Sequence, residues 1–146
     1  MSNKKIDYNK CDNTQILAKT LYFEAGSTLD ILEILYIGYV IRNRVEGHKW
    51  YGSTYAEVCL KKYQFSCWNN KTLEEIEAID LNGRWRWAMC LMIAEYIQMI
   101  PKNKIPKQMH RVYHYVNSEL VSTPGWAEKM DLVYPEMHLV HTFFKS

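Results

Sequence analysis

Three stretches of the chain repeat apolar residues every three or four positions, and each stops at a residue that helices do not pass easily. In the first, 14–25, Leu17, Leu21 and Glu24 fall on one face, Asn13 or Thr14 can cap the start, and Gly26 stands where a left-handed C-terminal cap belongs. In the second, about 30–45, Ile34, Gly38, Ile41 and Val45 form the stripe, and Asp30 and Glu33 have capping-box spacing. Gly38 in that stripe predicts close approach by another element, at a propensity cost of about 1 kcal/mol relative to Ala. In the third, 84–100, Trp87, Leu91, Ala94 and Ile97 share a side and Pro101 helps end the helix. Faces of this kind must be buried against one another, so the chain is committed to a helix-packed core.

Between and after these helices the pattern changes. Residues 48–54, flanked and interrupted by Gly47 and Gly52, read as a turn, and 55–62 as a short helix. Residues 63–70 mix aromatic rings with amides and a hydroxyl and show no helical period, which predicts loop or short extended structure. Thr72 and Glu75 have capping-box spacing for a short helix to about Asp80, and Asn82-Gly83 marks a break. Val112, Tyr113 and Tyr115, and then Thr142 to Phe144, are β-prone and predict a hairpin or two strands, while Pro124-Gly125-Trp126 predicts a turn. The expectation is a predominantly helical α+β chain with a small β element near the C-terminus. Residues 1–12 form an N-terminal tail and 13–146 a single domain, for which 146 residues at 48% hydrophobic content supply ample core.

Charge and cysteine usage narrow the partners. The formal net charge is +2, and Lys4-Lys5 and Lys61-Lys62 are the only adjacent lysines, so no nucleic-acid stripe is present, although mild attraction to an anionic polymer is compatible with the balance. The longest uncharged apolar runs, 34–41 and 87–94, are too short to span a bilayer, and residues 1–10 lack the apolar centre of a secretory signal. Synthesis in the cytoplasm follows as an expectation. Cys11, Cys59, Cys67 and Cys90 show no regular spacing, and reduced thiols filling core space explain Cys59 and Cys90. Cys67 lies in the aromatic loop, where a nucleophilic role would require a partner His. Oligomeric state is not legible in amphipathic helices of this kind.

Glu24 is the chemistry-bearing residue. An inward-facing carboxyl at the end of a helix meets two effects that favour its neutral form, burial and the negative end of the helix dipole. A protonated carboxyl is what a general acid needs. The run Gln64 to Asn70, with Tyr115-Val116-Asn117 and Pro124-Gly125-Trp126, adds the mixture found in carbohydrate sites, where ring faces stack on sugar C–H surfaces and amides bond hydroxyl groups.

In order along the chain stand Tyr22-Phe23-Glu24-Ala25, Asn43-Arg44-Val45, Gln64-Phe65-Ser66 followed by Trp68, Tyr113-His114-Tyr115-Val116-Asn117, Trp126-Ala127, and His141-Thr142-Phe143-Phe144-Lys145. This ordered set resembles the germination-type cell-wall hydrolases of the SleB/CwlJ kind, relatives of lysozyme-like lytic transglycosylases. The family usually continues Glu-Ala with Arg-Gly-Glu; here the continuation is Gly26-Ser27-Thr28, so the second acid is missing, and Leu139 replaces the Gly before the closing His.

The resemblance implies a lysozyme-like domain that cleaves the glycosidic bond between N-acetylmuramic acid and N-acetylglucosamine in peptidoglycan, without cofactor or metal. It implies Glu24 as catalytic acid, and substrate contacts from Tyr22, Asn43, Gln64, Phe65, Ser66, Trp68, Tyr115, Asn117, Trp126 and His141. A phage lysin acting on the host wall, in the periplasm or outside the cell, fits this profile. Ordinary glycosidases use two carboxylates about 5 to 9.5 Å apart. Here the nearest alternatives, Asp30 and Glu33, are explained as helix-start residues. Three other readings stand beside the transglycosylase: a muramidase-type hydrolase of the same bond, a non-catalytic wall-binding module, and a zinc hydrolase built on His110 and His114 with His138 and His141. Against zinc, an extended backbone sets residues at i and i+4 too far apart for one metal.

Overall fold

The computed structural model describes residues 6–26, 30–62, 64–117, 130–133 and 141–145. Among the described residues, five α-helices, α1 (Asn13–Ala25), α2 (Ile31–Glu46), α3 (Tyr55–Leu60), α4 (Leu73–Glu77) and α5 (Trp87–Met99), precede three strands, β1 (Val112–Asn117), β2 (Asp131–Val133) and β3 (His141–Lys145). The result is a predominantly helical α+β fold with its small sheet near the C-terminus, as the sequence pattern predicts. None of the described helices is long and apolar enough to cross a membrane.

The helix ends show what the side chains are used for. Asp12, rather than Asn13 or Thr14, caps α1, its carboxylate accepting from the Gln15 N–H at 3.1 Å. The two expected caps are spent on tertiary bonds instead. Asn13 Oδ1 accepts from the Ala56 N–H at 2.9 Å in the first turn of α3, and Thr14 Oγ1 accepts from the Gln98 side chain at 2.8 Å. At the other end Gly26 takes φ 62°, and a side chain there would meet no atom within 4 Å, so the glycine is required by backbone conformation and not by space. The capping box at Thr72 and Glu75 forms in both directions. Upstream of α1, Asp7 caps a 3-10 turn at Tyr8–Lys10, and Tyr8 and Cys11 pack against the core.

α2 is the centre of the molecule. Ile34, Ile37, Val40 and Ile41 are wholly buried, and the helix packs against α1, α3, α5 and β1. At Gly38 an added Cβ would stand 2.8 Å from Ile97 Cγ1, so α5 lies against the α2 backbone at that point. α5 begins at Trp87, three residues later than its pattern suggests, and buries Trp87, Cys90, Ile93, Ala94 and Ile97, with Leu91 only partly covered. In the segment expected to be loop or extended, the described residues 64–70 include a 3-10 turn at Ser66–Trp68.

The sheet is antiparallel in the order β1-β3-β2. β2 was not anticipated from the sequence: three residues are too few to show alternation. In the β1–β3 ladder Tyr115 pairs with Phe143 and Asn117 with His141, so Tyr115, Phe143 and His141 share one face. A bulge between Val112 and His114 leaves Tyr113 out of register.

Candidate active site

α1 delivers Glu24 in its last turn, and β1 delivers Tyr115 to meet it. The Tyr115 hydroxyl donates to Glu24 Oε1 at 2.7 Å, between residues 91 apart in sequence. Glu24 is half-buried. Burial, and then the neighbouring Glu24 charge, hold the Tyr115 phenol well above its ordinary pKa, so the tyrosine keeps its proton and remains a donor. The Cys67 thiol lies within hydrogen-bonding reach of Glu24 and is also pushed up, by burial first and by the Glu24 charge second. A thiol held neutral in this way is a poor nucleophile, which answers the question its sequence position raised.

The Asn-Arg-Val and Gln-Phe-Ser segments come together as a support for this corner. The Arg44 guanidinium is buried between the Tyr51 and Phe65 rings, 5.4 and 5.2 Å from their centroids. Its Nε donates to the Tyr113 carbonyl at 2.8 Å, the group that the β1 bulge turns out of register, and Nη1 donates to Gln64 Oε1 at 3.4 Å. Burial lowers the Arg44 pKa, and the nearby Glu24 is among the groups that oppose that shift. Gln64 and Phe65 therefore meet Arg44. Asn43 is engaged elsewhere: its amide donates to the Met109 and Val112 carbonyls at 2.8 and 3.0 Å and ties the loop before β1 to α2.

Glu33 departs from the expectation of a capping residue. Asp30 performs the capping alone, accepting from the Leu32 N–H at 2.9 Å, while Glu33 turns inward and is 1% exposed. Its Oε1 accepts from the His141 backbone N–H at 2.5 Å and from the His141 ring Nδ1 at 2.8 Å. The capping-box spacing concealed this, because a Glu at the third helical position satisfies a local rule whichever way it points. His141 is buried too, and its ring meets the Tyr115 ring edge-on at 5.3 Å. Contacts thus run from Glu33 through His141 and Tyr115 to Glu24.

The remaining candidates divide. Trp68 is 6% exposed, and its indole N–H donates to Thr20 Oγ1 at 3.0 Å, which seats the ring against α1. Ser66 is exposed and Tyr22 half-buried, with the Arg86 guanidinium 4.7 Å from the Tyr22 ring centroid. The exposed ring beside the acid is Phe23, packed edge-on against Trp68 at 5.6 Å, a residue that the pattern reading passed over. The Asn117 side chain, Trp126 and His138 lie outside the described residues. His110 and His114 diverge: His110 Nε2 donates to the Ile105 carbonyl at 2.9 Å, while His114 Nε2 stands 3.4 Å from the Tyr51 hydroxyl. Among the described residues no three His, Cys, Asp or Glu side chains converge as metal ligands.

No curated protein and no solved structure matches the chain. A family profile described as Cell Wall Hydrolase matches residues 33–144, beginning at the buried Glu33 and ending in β3. The match covers most of the chain, including Arg44, Gln64, Tyr115 and His141, although it starts nine residues after Glu24. The chain belongs to the Cell Wall Hydrolase family, whose substrate is peptidoglycan.

Proposed function

We propose that this cell-wall hydrolase cleaves the bond between N-acetylmuramic acid and N-acetylglucosamine as a lytic transglycosylase, with Glu24 as its single acid and base. The observation that carries the reading is the Tyr115–Glu24 hydrogen bond of 2.7 Å. With Oε1 accepting from the tyrosine, the acidic proton sits on Oε2 and is directed to the leaving glycosidic oxygen. The resulting carboxylate then takes the proton from the muramic acid 6-hydroxyl, whose oxygen bonds to C1 and closes the anhydro ring. Proton and bond count balance, and no water enters.

The absence of an available partner carboxylate supports the same scheme among the described residues. Glu33 is closed off by His141 and Asp30 is used in capping α2, while the sequence after Glu24-Ala25 reads Gly26-Ser27-Thr28 where the family usually has a second acid. Two-carboxylate hydrolysis needs a second group to activate water or to attack the sugar. Mass spectrometry of digested peptidoglycan tests the scheme: anhydro-muramic ends are expected, and reducing muramic ends would make the enzyme a muramidase-type hydrolase.

Tyr115→Phe keeps the ring that packs on His141 and Phe143 and removes only the donor. Hydrogen bonds to charged groups contribute roughly 1.5–3 kcal/mol, so cleavage is expected to slow by about 10- to 100-fold in a folded protein. An unchanged rate of fragment release would remove Tyr115 from the mechanism.

A further inference from the structure

A second concavity lies between the end of α2, the 102–111 loop and the end of β3. It has a volume of about 520 Å³, and its lining includes Glu46, Lys102, Lys107, Arg111 and Lys145. Neither Glu24 nor Tyr115 lines it. Its volume is in the range of sites that hold a molecule and not a lone ion.

The charge of this cavity is strongly one-sided. Among the described residues, Lys102, Lys107, Arg111 and Lys145 face one carboxylate, Glu46, which is paired with the Arg42 guanidinium at 2.5 Å. The whole chain carries a formal net charge of only +2, so the positive charge is concentrated here and the remainder of the chain is net negative. The ammonium of Lys145 is fixed at the rim, donating to the Lys107 carbonyl at 2.8 Å. Arg111 holds φ 61°, a left-handed conformation that costs a non-glycine residue roughly 1–2 kcal/mol.

We infer that this cavity binds an anionic, phosphodiester-linked polymer of the wall and so holds the enzyme to its substrate away from the cutting site. Three ammonium groups act as point charges that suit a succession of spaced phosphates, and the one guanidinium can bond a phosphate with two parallel N–H donors. A concave site of this volume admits one thin flexible chain, whereas a rigid double helix needs an open basic face. The inference rests on the family's action at the wall and is independent of whether the bond is broken by transglycosylation or hydrolysis.

The test uses the full chain and its Lys102→Ala, Lys107→Ala, Arg111→Gly triple variant. Each change is mild for folding: Lys102 and Lys107 are exposed, the Lys107 carbonyl survives substitution, and glycine adopts the left-handed conformation of position 111 without penalty. Binding to poly(glycerol phosphate) is measured by calorimetry, with poly-glutamate and duplex DNA as alternative polyanions. Cleavage is measured on peptidoglycan stripped of phosphate polymers. The expected result is salt-sensitive binding of poly(glycerol phosphate) that weakens by about fivefold per charge removed, roughly a hundredfold for the triple variant, with cleavage of stripped peptidoglycan unchanged. No binding at low ionic strength, or equal binding by the triple variant, would overturn the proposal. Equal or tighter binding of poly-glutamate would overturn the phosphodiester assignment, and equal or tighter binding of DNA would make the cavity a nucleic-acid site.

Discussion

Glu24→Gln is expected to reduce the release of soluble fragments from purified peptidoglycan by about 10⁴-fold, the upper end of what one general acid–base group contributes. The upper end applies because the same carboxyl both gives and takes a proton, so its amide fails in both half-steps. Gln keeps the size of the side chain and an oxygen that accepts from Tyr115, and the hydrogen bond at the end of α1 is conserved. The circular dichroism spectrum and melting temperature should therefore match those of the parent. A variant that still cleaves at more than about a tenth of the parent rate would exclude Glu24 as the acid, since a tenfold loss is below the general-acid range. Retained binding to intact walls would show that the loss lies in chemistry and not in attachment.

Glu33→Leu is expected to cost about 3 kcal/mol of folding stability. One carboxylate oxygen receives both the His141 backbone N–H and the ring Nδ1, at a site closed to water, so the substitution leaves two donors without an acceptor. For a domain of this size the melting temperature should fall by roughly 6–12 °C. Glu33→Gln retains a carbonyl acceptor for the backbone N–H and should lose about 1 kcal/mol. Thermal unfolding of both variants checks the order. A Leu variant as stable as the parent would mean that the buried pair contributes nothing net, which is known where hydrophobic replacement packs well.

Local rules read the fold well wherever one residue had one use. Gly26 ends α1 because its backbone angle demands glycine, and the Thr72–Glu75 box works in both directions. The apolar stripes located α1, α2 and α5, and Gly38 marked where α5 approaches. Sequence reasoning failed where a side chain had two possible partners. Asn13, Thr14 and Glu33 all satisfy capping patterns, and all three are drawn off by groups far along the chain. The site was partly legible for the same reason. Tyr115 could be suspected from its motif, but its contact with Glu24 depends on the sheet register, and that register was not written in either strand alone. For Trp68 the sequence shows an indole in a polar loop, while its burial and its bond to Thr20 of α1 depend on the tertiary fold. Exposure of Phe23, adjacent to the acid, follows from the phase of α1 and was open to recognition.

The bond between Glu33 and His141 joins groups 108 residues apart, and the second of them belongs to the last strand. A growing chain emerges from its N-terminus, so Glu24, Glu33 and most of the helical core are made long before the residue that hydrogen-bonds the buried acid. Until β3 arrives, the Glu33 carboxyl lacks its two bonds to His141 and Tyr115 lacks the strand that sets its register. The cutting site is thus completed only once β3 has been made, and a chain interrupted before residue 141 would lack the strand that finishes it.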